Sequence, residues 1–383
     1  MPVRKRLTVG LVCGGRSGEH EVSLVSAASV YRALDPHSYR VIPIAISQDG
    51  SWRLAQPPAA QGPILLRGSD PRLILSPGPK PRLCIHKGGK DTMIGIDVFF
   101  PVLHGPYGED GTIQGLFEMC GASYVGAGVL ASAIGMDKIA MKAVFETAGL
   151  NVAPYVGFTI TEWKKNRIPI EERIIGELDL PCFIKPGNSG SSVGISKVKT
   201  VEELGEAVTE AFRFDRKVIA ERTIVGQEIE CSVLGNDEPI ASLPGEVIPC
   251  HEFYDYWDKY IGGRTQLIIP ADLPKETITV VREAAIRAYR ALDCAGMARV
   301  DFFLAHGDAS PSKRLYINEI NTIPGFTDIS MYPKLWAATG IPYPRLLDRL
   351  IDLACKRNRE KLRLKTTWKQ GTILAGMARK KRG

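Results

Sequence analysis

The chain has 383 residues, 44% apolar and 24% charged, which is globular composition with length for two or three separate cores. No apolar run reaches the 18 residues of a membrane span and the opening residues lack the apolar stretch of a leader, so a soluble, cytoplasmic protein is expected. The net charge of +7 is carried by Lys356 to Gly383, which hold +10 against −3 for the rest, so the body offers no basic surface for nucleic acid and the excess belongs to a C-terminal tail.

In chain order, residues 7–13 (LTVGLVC) read as a short apolar strand, followed by GGRSGEHE and a helical pattern through Val22, Val25, Ala28, Val30 and Leu34. A second strand at 41–46 completes a βαβ spacing. Residues 55–92, rich in Pro, Gly and Lys, read as an irregular insertion or a pair of edge strands. A strand at 96–103 then ends in HGPYGEDGTIQG, with a helix from about Thr112 to Cys120. A helix at 137–148, a strand at 154–159, a helix at 161–177, the strand CFIKP, a helix at 201–213 and a strand at 217–221 make a second unit of α+β type. A third has strands at 228–235, 239–248, 296–304 and 314–321, helices at 274–292 and near 343–358, and a loop at 250–266. The eight cysteines are scattered, with no CxxC pair and no histidine at zinc spacing, and read as reduced core thiols.

Five stretches carry chemistry. KPGNSGSSVG (185–194) sets a lysine at a strand end before small residues whose N–H groups can approach an anion, the logic of a phosphate cradle; a plain flexible hairpin is the alternative. MARVDFF (297–303) puts Arg299 and Asp301 on one face of a strand, and INEINTIPGF (317–326) puts Glu319 and Asn321 on one face with Asn318 and Ile320 on the other. If the two strands pair, three oxygen ligands and a guanidinium gather, a set suited to Mg²⁺ or Mn²⁺ rather than zinc; a cross-strand salt bridge from Arg299 to Glu319 is the alternative. His104 ends a strand of an open α/β unit, where ligands bind, or else caps a turn. EFYDYWDKYIGGRT (252–265) reads as a lid hinged on Gly262 and Gly263, or as a packed surface loop.

In order and wording, GGRSGEHEVSLVSA, HGPYGEDGTIQG, VGAGVLASAIGMDKIAMK, KPGNSGSSVGISKV, FYDYWDKY, ARVDFF and NEINTIPGFTDISMYP resemble the D-alanine–D-alanine ligases of the ATP-grasp superfamily, over about residues 7 to 355. The resemblance implies an α/β (α+β) fold of three domains: an N-terminal open, Rossmann-like α/β domain (1–137) that binds the first D-alanine, a central ATP-grasp subdomain (138–227) and a catalytic domain (228–358), followed by the basic tail 359–383. It implies ATP, two Mg²⁺ or Mn²⁺ ions per site, D-alanine as substrate, a homodimer, and neither nucleic acid nor a membrane span among its partners. It assigns Lys138 and Lys185 to phosphates, Lys259 to the γ-phosphate, and Glu221, Ile224 and Glu228 to adenine and ribose. Asp301, Glu319 and Asn321 become metal ligands. Glu19 takes the first ammonium, with His104 nearby, and joins Ser191 and Tyr260 in a hydrogen-bonded set. Arg299 and the Gly325 N–H stabilise the oxyanion, and Ser330 receives the second carboxylate. Thr223 departs from the bulky residue common at its position, and the tail has no counterpart.

Overall fold

The computed structural model describes residues 6–78, 81–190, 193–249, 265–327 and 329–365. Three sheets draw their strands from successive stretches of the chain. In the first, the strand Leu7–Gly14 is buried from Val9 onward and lies between two parallel neighbours, Tyr39–Ile46 and Val98–Pro101. A strand covered on both faces has no polar side to show, which is why LTVGLVC is apolar without alternation. The helix His20–Ala33 makes the crossover to Tyr39–Ile46. The chain therefore leaves Leu7–Gly14 on one side and returns on the other, and the gap between Leu7–Gly14 and Val98–Pro101 is the switch point at which open α/β sheets bind ligands.

The same sheet continues antiparallel through Trp52–Leu54, Arg72–Ser76, Arg82–Lys87 and Lys90–Gly95. The stretch expected to be irregular or to hold two edge strands thus supplies an ordered, largely exposed end of the sheet, its turns built at the glycines and prolines that masked the strands.

The second sheet is antiparallel, in the order Ser196–Val198, Cys182–Pro186, Lys217–Arg222, Tyr155–Thr159. Ile174, Leu204, Val208, Ile184 and Val218 share its core. The single helix expected at 161–177 is two, Ile160–Lys165 with a Thr159/Glu162 capping box and Ile168–Leu178. Pro169 explains the break, because proline suits a helix's first turn but removes a donor and clashes in its interior.

The third sheet runs Gln266–Ile268, Gly245–Ile248, Gly226–Gly235, Gly296–Ala305, Leu315–Asn321, with Ile240–Ala241 pairing beside Gly226–Gly235. The strand expected at 239–248 is interrupted over Ser242–Pro244, where Pro244 has no N–H for a ladder. The helix Lys275–Ala291 covers one face through Val281, Ala285 and Tyr289. Two short helices, Val129–Met136 and Met331–Ala338, lie in segments whose Gly and Pro gave no helical expectation. The last helix runs Tyr343–Lys361, three residues into the stretch read as tail, and packs between the first and third sheets, sharing a core with Val9 and Leu11 of the one and Leu234 and Met297 of the other. Tyr39 donates to Asp348 at 2.9 Å and Arg357 donates to the Tyr124 carbonyl at 3.0 Å. The cysteines among the described residues are free, and burial pushes the thiol of Cys231 up to about 12. Among the described residues no helix is long and apolar enough to cross a membrane.

Candidate active site

Two site residues come from the carboxyl ends of the switch-point strands. After Leu7–Gly14 the chain turns sharply at Gly14, whose φ is +82° and where a Cβ would lie 2.3 Å from the Ile46 carbonyl oxygen, so glycine is required. The turn delivers Glu19 to the start of the following helix, 8% exposed. Its carboxylate fits a slot between two loops: a Cβ on Gly105 would meet Glu19 Oε2 at 2.8 Å and one on Gly190 at 2.9 Å. After Val98–Pro101 comes His104, with Nδ1 3.1 Å from the Ile323 carbonyl oxygen and Nε2 3.4 Å from Ser26 Oγ. Burial lowers its pKa below the usual imidazole value, so it sits neutral at neutral pH.

The phosphate side is built around Asp137. Its side chain caps the helix Lys138–Thr147 by accepting from the Ile139 and Ala140 N–H groups, each at 3.2 Å, and also pairs with Lys217. The cap fixes the first turn and so the base of Lys138, whose N–H donates to the Gly187 carbonyl at 2.9 Å and whose Nζ donates to the Ser189 carbonyl at 2.6 Å. Asp215 anchors the same loop, accepting from the Asn188 N–H at 2.8 Å and from its side-chain amide at 2.7 Å. Lys185 pairs with Glu221, and Lys142 lies 3.0 Å from the other Glu221 oxygen. Burial would raise that carboxyl's pKa, but the two ammoniums outweigh it and hold it at about 2. Lys142 was not foreseen; its signal was its place one turn after Lys138, on the same helix face.

The third sheet supplies a row of acids. Asp301 is paired in register with Glu230 on one neighbouring strand and with Glu319 on the other, so three carboxylates stand side by side. Arg299 reaches into this row: its Nε donates to Asp301 Oδ1 at 2.7 Å and lies 2.9 Å from Glu230 Oε2, while Nη2 donates to Asp301 Oδ2 at 2.7 Å. Burial alone would lower the guanidinium's pKa, but Asp301 and Glu230 raise it well above its usual value. The cross-strand salt bridge considered from sequence was to Glu319; the carboxylate that Arg299 meets across the ladder at 2.9 Å is Glu230, on the strand at the other side, while Asp301 lies on its own strand. Asn321 stands opposite Arg299 and donates to Asp301 Oδ2 at 3.0 Å. Asn318 does not share a face with Ile320 as expected; a register shift between Asp301 and Phe302 makes Asn318 the extra residue.

All donors in this row are hard oxygens, and within it three carboxylates face one guanidinium, a charge balance that fits a divalent cation. Among the described residues no three His, Cys, Asp or Glu side chains converge as a ready-made cage.

Beyond Asn321 the chain loops through Gly325 to Ser330. The Thr327 N–H donates to Ser330 Oγ at 3.0 Å, and a Cβ on Gly325 would meet that same oxygen at 2.7 Å. Phe326 is fully buried against Phe100 and Tyr332, fixing the loop's middle.

These residues meet in one cleft that is partly open to solvent. Glu19, His104, Lys138, Arg299, Glu319 and Asn321 line it, with Gly325 and Ser330. Asp301 stands behind Arg299. Lys185 and Glu221 lie on the second sheet beside the cleft, and Ile224 and Glu228 lie where Lys217–Arg222 passes into Gly226–Gly235. Thr223 turns its hydroxyl to the Pro181 carbonyl at 2.7 Å. Ser191, Lys259 and Tyr260, with most of the expected lid, lie outside the described residues. Glu109 and Glu230, absent from the sequence expectation, also line the cleft.

Family models described as D-ala D-ala ligase N-terminus and D-ala D-ala ligase C-terminus match residues 8–127 and 144–352. The chain belongs to the D-alanine–D-alanine ligase family. It is 49% identical over 367 residues to a D-alanine–D-alanine ligase of Geobacillus kaustophilus, covering 94% of this chain and 98% of the relative. Among solved structures it is similar to the D-alanine–D-alanine ligase of Coxiella burnetii, with a TM-score of 0.79 and 34% identity over 99% of this chain and 100% of the other. It is also similar to the VanG D-Ala:D-Ser ligase of Enterococcus faecalis, with a TM-score of 0.77 and 34% identity over 91% of this chain and 100% of the other. The fold is that of ATP-grasp enzymes, and the chain is an ATP-dependent ligase.

Proposed function

We propose that this chain joins two D-alanines into D-alanyl-D-alanine, with ATP cleaved to ADP and phosphate, as a step of cell-wall precursor synthesis. One observation carries the reading: Glu19 and His104 from the first sheet and the Arg299, Glu319 and Asn321 edge of the third line a single cleft with Lys138. Such a cleft offers a cationic phosphate wall, an anionic pocket for an ammonium and a guanidinium between them.

In this reading Glu19 receives the ammonium of the first D-alanine, and that substrate's carboxylate attacks the γ-phosphoryl group, releasing ADP and leaving an acyl phosphate. Lys138 and Lys185 neutralise phosphate charge, with Lys259 outside the described residues, while Glu221, Ile224 and Glu228 flank the nucleoside. Asp301, Glu319 and Asn321 would hold Mg²⁺ or Mn²⁺, two ions per site, which supplies charge neutralisation on the transferring group. The amine of the second D-alanine, its carboxylate at Ser330, loses a proton and attacks the acyl carbon. Arg299 and the Gly325 N–H donate to the developing oxyanion, and phosphate departs. An acyl phosphate must be kept from water, the need that a lid would meet; most of the segment expected for it, 250–266 with Tyr260, lies outside the described residues, as does Ser191. The units 1–137, 138–227 and 228–358 are read as substrate, nucleotide and catalytic domains, of a cytoplasmic homodimer.

The test is ADP release with product mass spectrometry across D-alanine, D-serine and D-lactate as second substrates. D-alanyl-D-alanine is the expected dominant product; ADP release without any dipeptide from D-alanine would overturn the reading.

A further inference from the structure

The loop that follows His104 reaches across to the segment carrying Gly325. Glu109 Oε2 accepts from the Gly105 N–H at 2.9 Å and its Oε1 accepts from the Ile323 N–H at 3.2 Å. The Ile323 carbonyl is taken by His104 Nδ1 at 3.1 Å. Both main-chain polar atoms of Ile323 are thus held by one loop of the first sheet. Two residues later comes Gly325, and immediately after it Phe326 is locked in the core. Pro324 and Gly325 are therefore spanned between two anchors, and the direction of the Gly325 N–H follows from where Ile323 is held.

We propose that Glu109 is a positioning residue for the amide-forming step, aligning the Gly325 N–H with the oxyanion by fixing the Ile323 backbone. The inference rests on the ligase reading above. A half-buried carboxylate beside Glu19 and Glu319 is a poor way to stabilise a fold, because its charge is partly desolvated and repelled. Burial and then Glu19 push its pKa up to about 8, against the pull of the two N–H donors. What the carboxyl group offers here is two oxygens, each facing one of the two N–H groups; glutamine keeps one acceptor oxygen and would turn an NH₂ group toward the other donor.

The experiment compares the full-length wild type with Glu109→Gln and Glu109→Ala, each checked by thermal melting, for ADP formed and D-alanyl-D-alanine formed under saturating ATP. A misaimed Gly325 N–H slows amine attack on the acyl carbon but not formation of the acyl phosphate, so a larger share is lost by its release and by water attack at phosphorus, neither of which uses that N–H. In Glu109→Gln, dipeptide kcat is expected to fall at least about tenfold, the KM for ATP to stay within about twofold, and the ratio of ADP to dipeptide to rise from about one to above two. Dipeptide kcat within twofold of wild type at a ratio of one overturns the proposal, as does a ratio of one with a raised KM for ATP. If Glu109→Ala fails to fold, Glu109→Gln decides; if neither folds, Glu109 is a strut of the fold and the proposal fails. A wild type that forms no dipeptide would instead sink the ligase reading, independently of both variants.

Discussion

Asp301 and Glu319 stand directly opposite each other on antiparallel strands, and they do so because Asn318 is bulged out of the ladder. Burial along Leu315–Asn321 shows the effect: Leu315 and Ile317 are buried, then Ile320, so the alternation resets by one residue at the bulge. Without the reset, Glu319 would share a face with Ile317 and turn into the core.

Replacing Glu319 by Gln keeps the shape and removes a formal charge from this row. Turnover should fall at least about tenfold, roughly 1.4 kcal/mol of transition-state stabilisation, and half-saturating Mg²⁺ should rise. Wild-type turnover at low Mg²⁺ would show that Glu319 holds no cation.

Asp137 serves as helix cap and as partner of Lys217. Asp137→Ala should lower unfolding free energy by about 1 kcal/mol through the lost cap. Because the same turn carries Lys138, the KM for ATP should rise while the KM for D-alanine does not. Denaturant melts and substrate titrations check both; a stability loss with unchanged ATP KM would separate the cap from the phosphate site.

The Lys142–Glu221–Lys185 cluster makes a prediction in acid. Glu221 is depressed to about 2 from 4.5, so its contribution is present above pH 4.5 and is lost as pH falls towards 2. Lys142→Met removes one of the two ammoniums and should destabilise by roughly 1–3 kcal/mol at pH 7, the gap from wild type narrowing between pH 5 and 3. A gap independent of pH in urea melts would mean the loss is packing alone.

Glu109 has the opposite sign. Its folded pKa of about 8 lies above the ordinary 4.5, so the stability it contributes is complete below pH 4.5 and is lost as pH rises through 8. Glu109→Gln does not titrate. In the absence of nucleotide and metal, the melting temperature of the variant minus that of wild type should therefore climb between pH 5 and pH 8.5. A flat difference would place Glu109 in a wetter setting than its burial implies.

Much of this site could be read before any fold was known, where chemistry rests on residues close in sequence. The Arg299–Asp301 pair needed only strand alternation, and the glycines of KPGNSGSSVG needed only the demand of a loop that approaches an anion. Glu109 was hidden in a loop noted for its glycines and acids, because its partner at Ile323 is 214 residues away. Glu230 was hidden because it reads as one polar residue of an alternating strand until the register sets it beside Asp301. Lys142 looked like a solvated helix lysine and is 1% exposed.

The sequence by itself determined the main strands and helices outside residues 55–92, the glycine turn after Leu7–Gly14 and the residue types of the site, since these follow from local sterics, periodicity and side-chain chemistry. Only the tertiary structure decided which carboxylates stand in one row, which loop holds Ile323 and that the last helix returns to the first sheet. Those facts depend on register and on contacts between distant segments, and a one-residue slip at Asn318 that leaves every local preference nearly unchanged would send Glu319 to the other face.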